Sequence, residues 1–192
     1  MLREKLKNYN VILASKSPRR QQFFKDLDID FTIELIEVEE IYPKELKGAE
    51  ITNFLADLKS QPFINLSEKE LLITSDTIVW LDDVALGKPK NEVEAFKMLR
   101  NLSGKKHEVI TSISIKNKNF QRIISDTTIV SFKDLTDQEI NYYIKNYNPY
   151  DKAGAYGIQE WIGFIAIENM EGSYFNVAGL PVHKLYKELM SL

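Results

Sequence analysis

Residues 11–27, VILASKSPRRQQFFKDL, decide the fold of this 192-residue chain. The apolar run at 11–14 is typical of a buried strand, and the polar break after it precedes a segment whose apolar residues recur at helical spacing. Ser17 is a favourable N-cap, and Pro18 suits the first helical position because the amide hydrogen that proline lacks has no partner there. The stretch therefore predicts a strand, a loop and a helix.

Apolar runs and helical spacings continue to alternate outward from this stretch. Strands are predicted at 31–35, 71–74 (ending at 75–77), 108–115, 122–132, 164–167 and 174–177, with a hairpin over 78–86 that turns at Asp82 and Asp83. Helices are predicted at 51–59, from the Asn91 cap to 102, from the Thr136 capping box to 144, and at 182–189. This mixture indicates an α/β fold with a mixed sheet, in one domain over residues 1–192.

Composition limits the function. The chain has no cysteine, which excludes thiolate metal sites and disulfides and leaves the cytoplasm as the expected compartment. Its net charge of -3 argues against nucleic-acid binding through a broad basic surface. No apolar run approaches the length of roughly 20 residues that spans a bilayer, so no membrane association is expected.

A first polar cluster occupies the predicted strand-to-helix corner at 15–20, SKSPRR. Unpaired amides at a helix N-terminus attract anions, and the guanidinium groups of Arg19 and Arg20 match phosphate oxygens. Such a corner fits a phosphate-binding site. The alternative is an ordinary N-cap followed by two solvated arginines.

Acidic residues supply the second and third clusters. Alternation along an extended segment would place Glu37 and Glu39 on one face, beside Glu40, and magnesium is often held by one or two carboxylates and substrate phosphates. Asp76 follows a strongly apolar strand, where α/β sheets bind ligands. A solvated acidic loop and a turn-forming aspartate are the respective alternatives.

The fourth cluster is GKPK at 87–90, where Gly87 permits close backbone approach and Pro89 holds Lys88 extended. A simple hairpin exit explains this segment nearly as well. Together the four clusters offer cations for a polyphosphate, carboxylates for a metal and a candidate base. These are the groups that release of pyrophosphate requires.

The order of motifs resembles the Maf-like nucleotide pyrophosphatases over nearly the whole chain. The opening segment LASKSPRR matches the family signature, and the Glu39-Glu40 pair and Lys59 follow at the expected places. The remaining matches are SDTIV at 75–79, GKP at 87–89, MLRNLSG at 98–104, DKAGAYGIQ at 151–159, GSY at 172–174 and GLP at 179–181.

The resemblance implies an elongated α/β fold with a mixed, twisted sheet flanked by helices and a central cleft, similar to inosine triphosphate pyrophosphatases. It implies dependence on Mg²⁺ or Mn²⁺ and a homodimer. Asp76 is the implied acid/base, with Glu39 and Lys88 assisting, and Asp76 and Glu39 are the implied metal ligands. The implied substrate-binding residues are Ser15, Arg19, Arg20, Lys59, Thr77 and Gln159.

Base preference follows from the segment 152–159, which resembles the family branch acting on dTTP and UTP. Arg19, Thr77 and Gln159 stand where the family tunes its choice of base. Two departures are Ser60 in place of the usual alanine and Glu160-Trp161 where glycine is common. The alternatives are the branch acting on 7-methyl-GTP and a regulatory or nucleic-acid-binding role in cell division.

The two histidines, His107 and His183, lie far apart in sequence without a partner at ligand spacing. This separation favours a surface or capping role for each over catalysis or zinc binding.

Overall fold

The computed structural model describes all residues, 1–192. Its strands are Asn10–Leu13 (β1), Phe31–Ile33 (β2), Glu70–Leu81 (β3), Val84–Leu86 (β4), Lys106–Lys116 (β5), Gln121–Phe132 (β6) and Ile167–Glu171 (β7). Its α-helices are Leu2–Leu6 (α1), Pro18–Asp26 (α2), Ala49–Ser60 (α3), Glu92–Leu102 (α4), Asp137–Tyr147 (α5), Trp161–Ala166 (α6), Tyr174–Val177 (α7) and Val182–Met190 (α8). Two 3-10 turns occupy Pro149–Asp151 and Ala153–Ala155. None of the helices has the combination of length and apolarity needed to cross a bilayer.

The strands form one mixed sheet in the order β2-β1-β3-β5-β6-β7, with β4 paired to β3. Strand β1 pairs in parallel with β2 and β3, whereas β4 and β7 pair antiparallel with β3 and β6. These pairings confirm the predicted α/β fold with a mixed sheet.

The chain divides into two compact units. The first unit consists of Met1–Asp76, Thr111–Asp126 and Gly179–Leu192. The second unit consists of Thr77–Ile110 and Thr127–Ala178. The single Maf-like domain over residues 1–192 stays a prediction.

In the first unit, the opening stretch adopts the predicted strand, loop and helix. Phe24 of α2 is fully buried and lies edge-on to Phe31, with ring centroids 5.3 Å apart. Burial of such a side chain stabilises the fold by about 1.5–3 kcal/mol. Because β1 and β3 are parallel, the amide of Ala14 donates to Ile73 O at 2.9 Å. The loop after β1 therefore begins beside the polar residues 74–76 of β3.

The core of the second unit forms between helices α4 and α5 and the strands of the same unit. Leu99, Leu102 and Ile140 are completely buried in one apolar cluster. The predicted caps are confirmed, since Asn91 accepts from the amide of Glu94 and Thr136 forms the full capping box. These caps fix the entry of both helices and are worth about 1 kcal/mol each.

Two predicted strands near the C-terminus were wrong. Residues 161–166 form helix α6, with Ile162 and Ala166 buried and Phe164 exposed, so the apolar residues follow helical spacing. The strand begins only at Ile167. A short apolar run does not distinguish a strand from a buried helix, which explains the error.

Residues 174–177 form helix α7, although their aromatic content favoured a strand. The Ser173 hydroxyl accepts from the amide of Asn176 and caps this helix. Asn176 is fully buried, while Tyr174 and Phe175 remain exposed. The local cap and the burial of a single polar residue outweigh the strand propensity of the aromatic pair.

Candidate active site

The first unit brings two residues of the predicted site, Lys59 and Asp76, together with Glu40. Lys59 Nζ lies 2.6 Å from Asp76 Oδ1 and 3.2 Å from Glu40 Oε1. The side chains of Lys59 and Asp76 are only 17% and 9% exposed, whereas that of Glu40 is 44% exposed. A buried carboxylate is tolerated here because an ammonium group pairs with it.

Asp76 does not stand at the end of its strand, as the sequence predicted. Strand β3 continues to Leu81, because the turn at Asp82 and Asp83 folds β4 back onto it. Asp76 therefore lies in the middle of a twelve-residue strand. The surrounding sheet fixes its backbone, which holds the carboxylate more rigidly than a loop would.

Lys59 is held in place by polar contacts beneath α3. Thr52 and Ser112 share a buried hydrogen bond of 2.6 Å, and Thr74 donates to Ala56 O. Both contacts tie α3 to strands of the first unit. Thr52 lies in the first turn of the helix and Ala56 in its middle, so these contacts orient the helix whose last turn carries Lys59.

The Arg20 side chain donates hydrogen bonds to backbone carbonyl groups beside Asp76. Its Nε donates to Gly179 O and its Nη1 donates to Ser75 O, both at 2.8 Å. Burial lowers the pKa of Arg20 from 12.5 to about 10, and the nearby Asp76 carboxylate opposes this shift. The guanidinium group therefore stays charged at neutral pH and adds a positive charge next to Asp76. Its role as a phosphate ligand stays a prediction.

The loop before α2 is ordered by its own hydroxyl groups. The Ser15 side chain is buried and accepts from the amide of Ser17 at 3.2 Å. The Ser17 side chain accepts in turn from the amide of Arg20 at 3.4 Å, as the predicted N-cap requires. Substrate binding by Ser15 and Arg19 stays a prediction.

Glu39 does not join the cluster around Lys59. Its side chain is exposed, and its neighbour Glu40 contacts Lys59 instead. The sequence identified the pair of glutamates but assigned the role to Glu39, and that assignment stays a prediction. The amide of Ile41 donates to Glu39 O at 2.8 Å, so the chain turns at Glu40 and does not alternate as the predicted extended segment would.

The second unit carries Thr77, Lys88 and Gln159. Lys88 is exposed, and the preceding residue, Gly87, accepts a backbone hydrogen bond of 3.0 Å from Gly154. This bond joins the segment that carries Lys88 to the loop that carries Gln159. The side-chain oxygen of Gln159 is buried and has no hydrogen-bond partner in the protein.

His107 is a buried residue and not the surface or capping residue predicted. It is 3% exposed, and its Nε2 lies 2.9 Å from the hydroxyl oxygen of Tyr156. Burial lowers the pKa of His107 to about 4, so the ring is neutral at neutral pH. The prediction for His183 fits the structure, since its side chain is 55% exposed.

Two carboxylates of the first unit fit a divalent cation. No group of three or more histidine, cysteine, aspartate or glutamate side chains is arranged to hold a metal. Asp76 and Glu40 nevertheless direct carboxylate oxygens at one cationic atom, Lys59 Nζ. Two carboxylates suffice for Mg²⁺, which takes its remaining ligands from water and substrate phosphates.

Comparisons with known proteins agree on one family. The family model described as "Maf-like protein" matches residues 10–192. A dTTP/UTP pyrophosphatase of Flavobacterium johnsoniae is 61% identical, with 100% of each chain covered. A protein of the same name from Christiangramia forsetii is 55% identical, covering 100% of this chain and 98% of the relative.

Solved structures give the same fold at low sequence identity. The Ham1 protein of Staphylococcus aureus superposes with a TM-score of 0.56 at 16% identity, covering 95% of this chain and 98% of its own. A HAM1 protein from Coxiella burnetii gives 0.53 at 12% identity, with coverage of 96% and 100%. At such identities the likeness supports the fold and not the activity.

Proposed function

Because this chain belongs to the Maf-like protein family, we propose that it is a nucleoside triphosphate pyrophosphatase that hydrolyses dTTP and UTP. The reaction consumes one water and yields the nucleoside monophosphate and pyrophosphate. The observation that carries the proposal is the buried Asp76 carboxylate paired with Lys59. It places a base and a cation together, in a chain that matches relatives of that name over its full length.

Asp76 is the general base of the proposed reaction. It accepts a proton from the attacking water, which then bonds to phosphorus as the bond to the leaving pyrophosphate breaks. Lys59 Nζ lies 2.6 Å from Asp76 Oδ1. When the substrate binds, the ammonium group donates to a phosphate oxygen in place of this contact. The positive charge of Arg20, next to Asp76 of β3, stabilises the negative charge that develops on the phosphates during the reaction.

We propose Mg²⁺ or Mn²⁺ as the cofactor, held by Asp76 with Glu40 or Glu39. Neutralisation of charge on the leaving pyrophosphate is the chemistry that such a cation supplies when bound. Ser15, Arg19 and Lys88 complete the proposed set of triphosphate contacts. The chain has a net charge of -3, so a triphosphate requires cations concentrated at the site.

Gln159 is the proposed residue for base selection, aided by Thr77 and Arg19. Its buried side-chain oxygen needs a donor, and N3–H of uracil or thymine supplies one while the amide nitrogen donates to O4. Cytosine offers the reversed pattern at this edge. A site built around such hydrogen bonds rejects a base that leaves them unpaired.

We further propose that the protein is a cytoplasmic homodimer that forms no stable complex with nucleic acid. The family resemblance supports the dimer. The absence of cysteine suits a reducing compartment, and the net charge of -3 disfavours phosphate-backbone binding.

The test is kcat/KM for pyrophosphate release from a nucleotide panel by the purified protein, with and without Mg²⁺ or Mn²⁺. The panel contains dTTP, UTP, CTP, ATP, GTP and 7-methyl-GTP. We expect dTTP and UTP to rank first and to require the metal. First rank for 7-methyl-GTP would move the protein to the other branch of the family, and no turnover of any nucleotide would contradict the proposal.

A further inference from the structure

The loop that carries Gln159 is fastened by a partly buried ionic cluster within the second unit. Lys152 Nζ lies 2.6 Å from Asp151 Oδ1 and 3.0 Å from Glu160 Oε1. The side chain of Lys152 is 7% exposed and that of Glu160 is 20% exposed, whereas that of Asp151 is 59% exposed. Glu160 is therefore the more sheltered of the two partners of Lys152, and it joins the two ends of the loop 152–160.

The other carboxylate oxygen of Glu160 accepts a hydrogen bond from the hydroxyl of Tyr143. The Tyr143 oxygen accepts in turn from the amide of Gly157 at 3.0 Å. Tyr143 belongs to α5 and is completely buried, so the position of its hydroxyl group is fixed by the core. Burial raises the pKa of Tyr143, which keeps its hydroxyl protonated as a donor to Glu160.

The loop is packed directly against this pair. A β-carbon added to Gly157 would lie 2.9 Å from Glu160 Cδ and 3.0 Å from Lys152 Cε, closer than carbon atoms approach without displacement. Because residue 157 is a glycine, its backbone can pack directly against the ion pair of Lys152 and Glu160. Gln159 lies between two residues, Gly157 and Glu160, that are both held by Tyr143.

Gln159 itself needs such support. Its side-chain oxygen is buried with no protein partner, so the acceptor is left for a ligand. The amide can pair with the edge of a base only if the backbone of residue 159 is held at hydrogen-bonding distance from it. The contacts of Glu160 and Tyr143 hold this part of the loop.

We propose that Glu160 is a positioning residue for base selection, which holds the loop so that the Gln159 amide reaches the edge of uracil and thymine. This inference rests on the proposed function. Glu160 acts through Tyr143 and Lys152, without contact to the reacting phosphates. It stands where glycine is common in the family, so it provides this chain with its own means of fixing the loop.

The test compares Glu160→Gln, Tyr143→Phe and the double variant with Glu168→Gln, which removes the charge of an exposed glutamate on β7. We expect the ratio of kcat/KM for dTTP to that for CTP to fall about tenfold in each single variant, the factor associated with one hydrogen bond. KM for dTTP should rise while kcat stays within about twofold. The double variant should lose no more than either single one, because the two residues act as one unit.

Amide hydrogen exchange at Gly157 provides a readout that is independent of turnover. Exchange should accelerate about tenfold or more in Tyr143→Phe and Glu160→Gln, and stay unchanged in Glu168→Gln. Should Glu160→Gln fail to fold, Tyr143→Phe decides the matter, since it keeps the buried ring.

The outcomes separate this inference from the proposed function. A wild-type protein without preference for dTTP and UTP overturns both. A wild-type protein with that preference, and variants that keep the ratio of dTTP to CTP, overturn only the role of Glu160. An equal loss of kcat on every nucleotide, or unchanged exchange at Gly157, overturns it as well.

Discussion

Asp76 is a buried charged residue, and its ion pair with Lys59 allows this charge to be buried. The residue is 6% exposed, and its carboxylate lies 2.6 Å from the ammonium group. Removal of one partner from such a pair is costly because the remaining charge is left buried. The pairing explains how a carboxylate persists in the middle of an apolar strand, and it makes the consequence of each substitution specific.

Replacement of Asp76 by asparagine should remove the base while preserving the shape of the side chain. We expect kcat for dTTP to fall about 10²-fold or more, roughly 3 kcal/mol in the barrier. Asp30→Asn, at an exposed carboxylate that pairs with Arg3, is the matched control and should leave kcat unchanged. Turnover near the wild-type rate in a folded Asp76→Asn protein would refute the role of Asp76.

Substitution of Gln159 by alanine should affect the choice of nucleotide and not the chemical step. Loss of its two hydrogen bonds to the base should reduce kcat/KM for dTTP and UTP by about 10–100-fold, since each bond contributes roughly 1 kcal/mol. The value for CTP should change far less. Steady-state kinetics on the three nucleotides measure the effect, and an unchanged ranking would exclude Gln159 from base selection.

At this scale the family resemblance placed Lys59 and Asp76 in one site, and the two side chains are in contact, while their roles in the reaction stay predictions. It did not predict that Glu40 would contact Lys59 in place of Glu39. The contacts of Arg20 could not be predicted from the sequence either, because Ser75 and Gly179 lie 55 and 159 residues away along the chain. Only the tertiary fold determines which distant carbonyl groups a guanidinium meets.

At the scale of elements, the long periodic segments were predicted well. Helices α3, α4, α5 and α8 and strands β5 and β6 lie close to their predicted bounds. The elements of the wrong type fall in residues 161–177, where elements of four to six residues follow one another. Such elements have too few positions to show a period, so caps and tertiary contacts decide their conformation. The same limit explains why the five-residue helix α1 was not predicted.

The attachment of the loop 152–159 to β3 can be tested at Gly154. This residue has φ +66°, and an added β-carbon would lie 2.7 Å from Val79 Cγ2. We expect Gly154→Ala to lower the free energy of unfolding by about 1–3 kcal/mol, through backbone strain and displacement of Val79. Urea denaturation measures the change.

Gly87→Ala is the matched control for this substitution. No atom lies within 4 Å of a β-carbon added at Gly87. Its effect on stability should stay within about 0.5 kcal/mol. Equal stability of Gly154→Ala and wild type would show that the loop does not depend on its close contact with Val79.

For the whole molecule, the buried His107 links stability to pH. Its pKa is about 4 in the folded protein and 6.5 for an ordinary histidine, so between these values the unfolded chain binds a proton that the folded protein does not. Stability from this residue is therefore complete above pH 6.5 and is lost progressively as the pH falls towards 4.

We expect the free energy of unfolding to decrease by roughly 3 kcal/mol over that interval on account of His107. Urea denaturation at a series of pH values measures the decrease. His107→Gln should be less stable at neutral pH but should lack this part of the pH dependence. His183→Gln, which replaces the exposed histidine, should retain it. Identical slopes for wild type and His107→Gln would contradict the assignment.

The identity of the products of dTTP hydrolysis tests the proposed activity most directly. Phosphorus NMR of the purified protein with dTTP and Mg²⁺ resolves all the phosphate species at once. We expect dTMP and pyrophosphate to appear in equal amounts, with neither species formed when the metal is chelated. Formation of dTDP and inorganic phosphate, or the absence of any turnover of dTTP and UTP in the presence of metal, would contradict a pyrophosphatase that acts on these nucleotides.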